Sequence, residues 1–262
     1  MKWIFKQIVT FLSVYYAFMV EYRAELFFWV LSNSLPIILM GVWIEAAQDG
    51  RFALEPLTFA RYFIAIFIVR QFTIVWVIWD FEREIIEGRL SFRLLQPIDP
   101  AWHHIAGHLA ERIARIPFVV ALAGLFFWLY PEAFWLPSWG ELLRVIVVVA
   151  IAFMLRFAMQ YTYAMFAFWT ERATAIEQFS YLFYLFLSGM IAPLAVFPPE
   201  VREVALWTPF PYMVYFPAAV LVGLKVEFWR GLFVALGWVA IFFGLNRWLW
   251  RRGLRQYSGM GA

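Results

Sequence analysis

Apolar runs of about 20 residues, the length of helix that crosses a bilayer's hydrocarbon core, recur from one end of this chain to the other. They read as Leu26–Ile44, Phe59–Trp79, His103–Tyr130, Leu142–Trp169, Phe179–Val196 and Gly231–Trp250. Hydrophobic residues make up 65% of the 262 and charged residues 15%, far from the roughly 45–50% and 25% of a soluble domain. The expected fold is an all-α integral membrane protein with six spans in one domain, 1–262. Pro36 and Pro117 are expected to kink their spans. The aromatic content of 22% supplies Trp and Tyr for the two interfaces. The formal charge of +3 fits a positive-inside bias rather than nucleic-acid binding, so the surrounding partner is membrane lipid. With no cysteine, disulfides, thiolate metal sites and a cysteine nucleophile are excluded. Lys2 and Lys6 precede an apolar run without a small-x-small cleavage pattern, so no removable signal peptide is read.

Three stretches depart from the spans. Residues 2–22 place Lys2, Lys6, Thr10, Ser13, Ala17 and Glu21 on one helical stripe, with Ile4, Phe5, Ile8, Phe11, Leu12, Tyr15 and Phe18 opposite. Such a helix lies in the interface plane; the alternative is a slightly polar span. Residues 197–217 carry Pro198, Pro199, Pro209, Pro211 and Pro217 around the amphipathic run Glu200–Trp207. One continuous helix is impossible there, and a broken segment dipping into the membrane under cover of other helices is expected.

The third stretch is Asp80–Pro100, DFEREIIEGRLSFRLLQPIDP. Asp80, Glu82, Glu84, Glu87 and Asp99 alternate with Arg83, Arg89 and Arg93. Each such charge costs about 2.5–3.5 kcal/mol at a bilayer centre, so the stretch lies in the aqueous phase. Ile85, Ile86, Leu90 and Leu94 nevertheless keep helical spacing. The expectation is a short amphipathic helix offering a docking surface.

Lys and Arg counts orient the chain. Lys2, Lys6, Arg23, Arg83, Arg89, Arg93, Arg112, Arg115, Arg172, Arg247, Arg251, Arg252 and Arg255 fall on one side. Arg51, Arg61, Arg202, Lys225 and Arg230 fall on the other, with Arg144 near its boundary. Both termini and Asp80–Pro100 are therefore expected in the cytosol, in a multi-pass protein of the inner or plasma membrane.

Within these boundaries, IIEGRLSFRLLQPIDP resembles the I-x-x-G-x-L-x-x-x-L-L-x-P segment of type-2 ABC transporter permeases. AFWTERATAIE at 167–177, APLAVFPPEV from 192 and TPFPYMVYFPAAVLVG at 208–223 agree in order and spacing. The resemblance covers essentially the whole chain and is strongest to the six-span, exporter-type branch. It implies an N-terminal connecting helix (1–24), a cytosolic coupling segment (80–103) seated on an ABC ATPase subunit, and a re-entrant outer segment (197–217). It also implies a second permease, either another copy or a related chain, and transport by alternating access. Glu84, Glu87, Gly88, Arg89, Leu94 and Pro97 are then the coupling residues, with Glu171 and Arg172 as a second cytosolic contact. Gln96 departs from the pattern, where the family often has Arg before the proline.

The residues themselves agree that any ATP chemistry belongs to another polypeptide. The lysines are Lys2, Lys6 and Lys225, and none stands in a G-x-x-x-x-G-K-[ST] context, so no P-loop forms. The chain is read as no enzyme and as carrying no cofactor, ATP and Mg²⁺ being held by the partner.

Other candidates are weaker. Arg70 and Arg156 stand mid-span as substrate contacts or ion pairs, the ordinary alternative being internal pairing or reach toward an interface. Tyr161, with Phe153, Phe157 and Tyr163, lines a possible substrate path or simply packs. A secondary transporter would need intramembrane ionisable pairs and internal repeats, neither of which stands out. His103, His104 and His108 are the only material for a membrane-embedded metal enzyme, and an interfacial histidine cluster is the simpler reading. Ser188-Gly189 lacks a histidine on a neighbouring span for serine chemistry.

Overall fold

In the computed structural model, residues 2–48, 50, 52 and 54–257 are described, with the side chains of 2–5, 7 and 8 excepted. The chain is helical along its length: α1 Lys2–Glu21, α2 Arg23–Ser32, α3 Leu35–Gln48, α4 Pro56–Thr73, α5 Val77–Ile86, α6 Leu90–Leu94, α7 Ala101–Leu129, α8 Trp139–Ala164, α9 Thr174–Leu187, α10 Pro199–Trp207, α11 Tyr215–Val222 and α12 Phe228–Gly253. No strand occurs among the described residues. Five stretches are long and apolar enough to cross a membrane: Arg23–Gln48, Pro56–Ile86, Ala101–Leu129, Trp139–Phe168 and Phe228–Gly253. The molecule is an all-α, multi-pass membrane protein. Arg51, counted above for orientation, lies outside the described residues.

The bundle is built around α4. It starts on Pro56, whose missing N–H is harmless at a helix start, and between Arg61 and Arg70 it is apolar on every side. A helix hydrophobic all round belongs in the middle, and Phe59, Tyr62, Phe63, Ile64, Ile66 and Phe67 are fully buried. α3, α7, α8 and α11 surround it, and α12 closes the far side of α8. Ser138 and Glu141 start α8 with a reciprocal cap, the Glu141 carboxylate accepting from the Ser138 amide at 2.7 Å.

Two spans are broken. The first parts at Asn33–Ser34, just ahead of Pro36, so the expected proline bend is an interruption between α2 and α3. The second parts at Ile74–Trp76, which no proline or glycine announces. Arg112 on α7 makes that break tenable. Its guanidinium donates to the Phe72 carbonyl at 2.6 Å and to the Ile74 and His108 carbonyls, and it lies 4.1 Å from the Phe153 ring centroid. The Phe72 and Ile74 carbonyls, left without a helical donor, are thus bonded by a cation, which suits a helix C-terminus. Pro117, by contrast, sits inside α7 without ending it.

The span expected at Phe179–Val196 is helical over Thr174–Leu187 and leaves helix at Ser188. The following irregular backbone is buried and bonded from outside, as non-helical chain at membrane depth must be. Tyr62 donates to the Gly189 carbonyl at 2.8 Å, Trp43 to the Ile191 carbonyl at 2.7 Å, and the Tyr215 amide to the Ser188 carbonyl at 3.0 Å. Gly189 has φ +81°, and a Cβ there would stand 2.7 Å from the Tyr62 hydroxyl. The prolines break 197–217 as expected: Pro199 opens α10, Pro209 and Pro211 shape a 3-10 turn at Phe210–Met213, and Pro217 falls in the first turn of α11.

α1 packs along α7. Its inward residues are Phe11, Leu12, Tyr15 and Met19, while Thr10, Ser13, Ala17 and Glu21 are exposed. Phe18, expected on the apolar face, is 54% exposed.

Candidate functional site

Asp80–Pro100 folds as an elbow rather than one helix. The apolar residues Val77, Ile78, Phe81 and Ile85 recur every three to four positions, and that face of α5 is buried against α8 and α12. Phe81 is fully buried among Tyr161, Phe168 and Trp250. Burying such a ring contributes about 1.5–3 kcal/mol. At Gly88 the backbone turns to φ +70°, a left-handed conformation that costs a side-chain-bearing residue about 1–2 kcal/mol. The five-residue α6 then runs off in a new direction, with Leu90 turned inward.

Polar contacts tie the elbow to its neighbours in sequence order. Glu82 accepts from the amide and hydroxyl of Thr174, at 2.7 and 3.1 Å, at the start of α9. Glu84 is buried and meets Arg93 at 2.6 Å and His104 at 3.5 Å. Ser91 and the Tyr257 hydroxyl lie 3.1 Å apart. Gln96 pairs with His103 Nε2 at 2.8 Å, and the other ring nitrogen of His103 reaches the Tyr15 hydroxyl of α1 at 3.1 Å. Asp99 accepts from the Ala101 amide at 2.9 Å and from Arg247 of α12 at 2.6 Å. One 21-residue stretch is therefore fastened to α7, α9, α12 and Tyr257 and, through His103, to α1.

The outside mixes charge, from Asp80, Arg83, Glu87 and Arg89, with exposed apolar side chains. Leu95 is 85% and Phe92 72% exposed, beside Ile86, Leu94 and Ile98. Glu87 and Arg89 are exposed and pair with each other at 2.6 Å, a contact that contributes little at a surface. Pro97 is exposed, as are Glu171 and Arg172 on the turn before α9. Of the expected coupling residues, Glu87, Arg89, Leu94, Pro97, Glu171 and Arg172 thus face outward, Gly88 makes the bend, and Glu84 faces inward. Gln96 is engaged by His103.

Arg70, Arg156 and Tyr161 are each buried but are aimed at different neighbours. Arg70 donates to the Asn33 amide oxygen at 2.9 Å, in the break between α2 and α3. The Arg156 guanidinium lies 4.3 Å from the Tyr184 ring centroid of α9, near the Gln160–Glu177 hydrogen bond of 2.7 Å. Tyr161 stacks on Phe157 and packs against Phe81. The structure does not bring the three together into one path.

The three histidines are also divided. His104 turns to Glu84, His108 to Glu111, and His103 to Tyr15 and Gln96. Among the described residues no group of three or more His, Asp or Glu is placed to hold a metal ion.

The sequence reading missed Glu82–Thr174, Asp99–Arg247 and the Arg112 cap. Only Asp99 carried a local signal, an Asp directly before a helix start.

The model of the ABC-2 family transporter proteins matches residues 53–261, from the loop before α4 to beyond α12. The chain belongs to the ABC-2 family of transporter permeases. Such a permease is the membrane component of a transporter and not itself the catalyst, and its family implies association with an ABC ATPase. A comparison with curated proteins gives no match.

Proposed function

We propose that this ABC-2 permease is the membrane half of an ATP-driven exporter, and that the elbow is where a separate ATPase subunit docks. ATP and Mg²⁺ reside on that subunit. Two permeases, copies or related chains, frame the path, and both termini share the cytosolic side with the elbow. The observation that carries this reading is the division of the elbow into two faces. Glu82, Glu84, Ser91 and Asp99 fasten it to α9, α7, the segment after α12 and α12 itself. Phe92 and Leu95 are left unpartnered outside. Exposed aromatic and aliphatic anchors supply binding energy, while Glu87, Arg89, Glu171 and Arg172 set register at the rim.

The mechanism is alternating access. Closure of the ATPase pair displaces the elbow. The displacement passes to α4 through the Arg112-braced break, to α9 through Glu82–Thr174, and to α12 through Asp99–Arg247. Those helices then rock and open the path outward.

The cysteine-free sequence makes a direct test available. Leu95→Cys places one thiol at the most exposed of the elbow's large apolar side chains; Ser91, held by Tyr257, is a poorer choice. With the permease and its ATPase co-expressed, a thiol crosslinker should join Leu95→Cys to a P-loop ATPase, and ATP should alter the yield. A crosslink to the ATPase from Trp139→Cys, at the other end of the bundle, with none from Leu95→Cys would sink the docking assignment.

A further inference from the structure

The end of the bundle remote from the elbow holds a second feature that permease architecture alone does not call for. A cavity of about 230 Å³ opens where α10, the 3-10 turn at Phe210–Met213, α11 and the first turn of α12 converge. Arg230 on its wall and Arg247 at the elbow sit on the same helix, roughly 25 Å apart at 1.5 Å per residue.

Arg202, Lys225 and Arg230 converge on the cavity, faced by Glu203 and Glu227. Arg230 meets both carboxylates only at long range, 3.5 Å to Glu203 and 3.6 Å to Glu227, and both acids are more than half exposed. Such pairs are screened by water and readily exchanged. Arg202 and Lys225 form no ion pair within the described residues. The positive end of the 26-residue α12 adds to the same sign of field.

The wall is built rather than incidental. Phe216, 5% exposed, lines the cavity, and a Cβ on Gly231 would lie 2.5 Å from its ring. Only glycine lets α12 close on Phe216 and hold that surface. The Tyr212 hydroxyl is engaged by the Leu206 carbonyl at 2.6 Å, which fixes another side.

We propose that this cavity binds a compact anionic group, a phosphate, sulfate or carboxylate, carried on an apolar stem. Arg202, Lys225 and Arg230 bind the anion. Glu203 and Glu227 disfavour a dense polyanion. Phe216, with Leu206 and Val226, receives the stem. The occupant comes either from the surrounding bilayer or from the transported material. The site needs no ATPase and stands or falls apart from the elbow docking.

The test uses the full-length permease in nanodiscs of phosphatidylcholine at low salt, titrated calorimetrically with dihexanoyl phosphatidic acid, dihexanoyl phosphatidylcholine or inorganic phosphate. The acid should bind saturably, and the other two about tenfold or more weakly. Arg202→Gln with Lys225→Gln should weaken the acid about tenfold, as loss of charge-assisted contacts does, without moving the melting temperature. Phosphatidylglycerol added to the nanodiscs should compete if bilayer lipid is the occupant; no competition assigns the site to transported material. Equal binding of the neutral amphiphile, equal binding of inorganic phosphate, or an unchanged affinity in the double variant overturns the proposal.

Discussion

The Glu82 carboxylate bonds both the amide and the hydroxyl of Thr174, 92 residues further along the chain. One acid on α5 thereby caps the start of α9, satisfying an N–H that no earlier turn can serve. The two polar returns at this end of the bundle are joined by it.

Glu82→Ala should therefore cost about 0.5–2 kcal/mol, the range for a lost helix cap. It should also lower transport per ATP hydrolysed in the assembled transporter, since α9 loses its link to the elbow. Thermal melts in mild detergent and a transport-to-ATPase ratio check both parts. An unchanged ratio would remove Glu82 from the transmission route.

Gly88 separates α5 from α6 at φ +70°. Gly88→Val should destabilise the elbow and uncouple hydrolysis from transport. Gly88→Asn should be close to wild type, because asparagine visits the left-handed region with little strain. Similar loss in both variants would point to a contact at Gly88 rather than to its backbone.

Phe92→Ser with Leu95→Ser removes the two most exposed apolar side chains of α6 and the residue after it. Neither packs in the bundle, so the melting temperature should hold within a degree or so for surface changes below about 0.5 kcal/mol. Affinity for the ATPase, read by co-purification and by surface binding, should fall at least about tenfold. Full affinity would show that the partner grips elsewhere.

Asn33→Leu leaves the Arg70 guanidinium buried without its amide acceptor and should destabilise by about 2–3 kcal/mol. Adding Arg70→Met should recover part of that loss, because an apolar pair is tolerated where a lone buried charge is not. Strict additivity in the double variant would mean the two residues act independently.

Five of the six expected spans and the polar returns were legible because hydrocarbon imposes length and apolarity on a crossing, and the prolines of 197–217 announce their own interruptions. The break at Ile74–Trp76 was not legible. Its backbone is compensated by Arg112 from another helix, and a partner 40 residues away in sequence leaves no local mark. Glu84 shows the same limit. In a list of alternating charges it is indistinguishable from Glu87, yet one turns inward to Arg93 and His104 and the other to solvent. Helical periodicity grouped Ile85, Ile86, Leu90 and Leu94 on one face, but only Ile85 and Leu90 are buried, Ile86 and Leu94 facing outward in a chain that changes direction at Gly88.

α2–α3 and α4–α5 are interrupted, whereas α12 runs unbroken for 26 residues, roughly 39 Å. Its lower end is pinned to the elbow by Arg247–Asp99, and its upper end forms a wall of the cationic cavity. In the proposed cycle a rod held this way would act as a lever. A tilt of about 10° at the elbow sweeps the other end through about 7 Å, enough to withdraw Arg230 from whatever it holds. In the proposed cycle, a modest push at one face of the membrane would thereby be geared into release at the other.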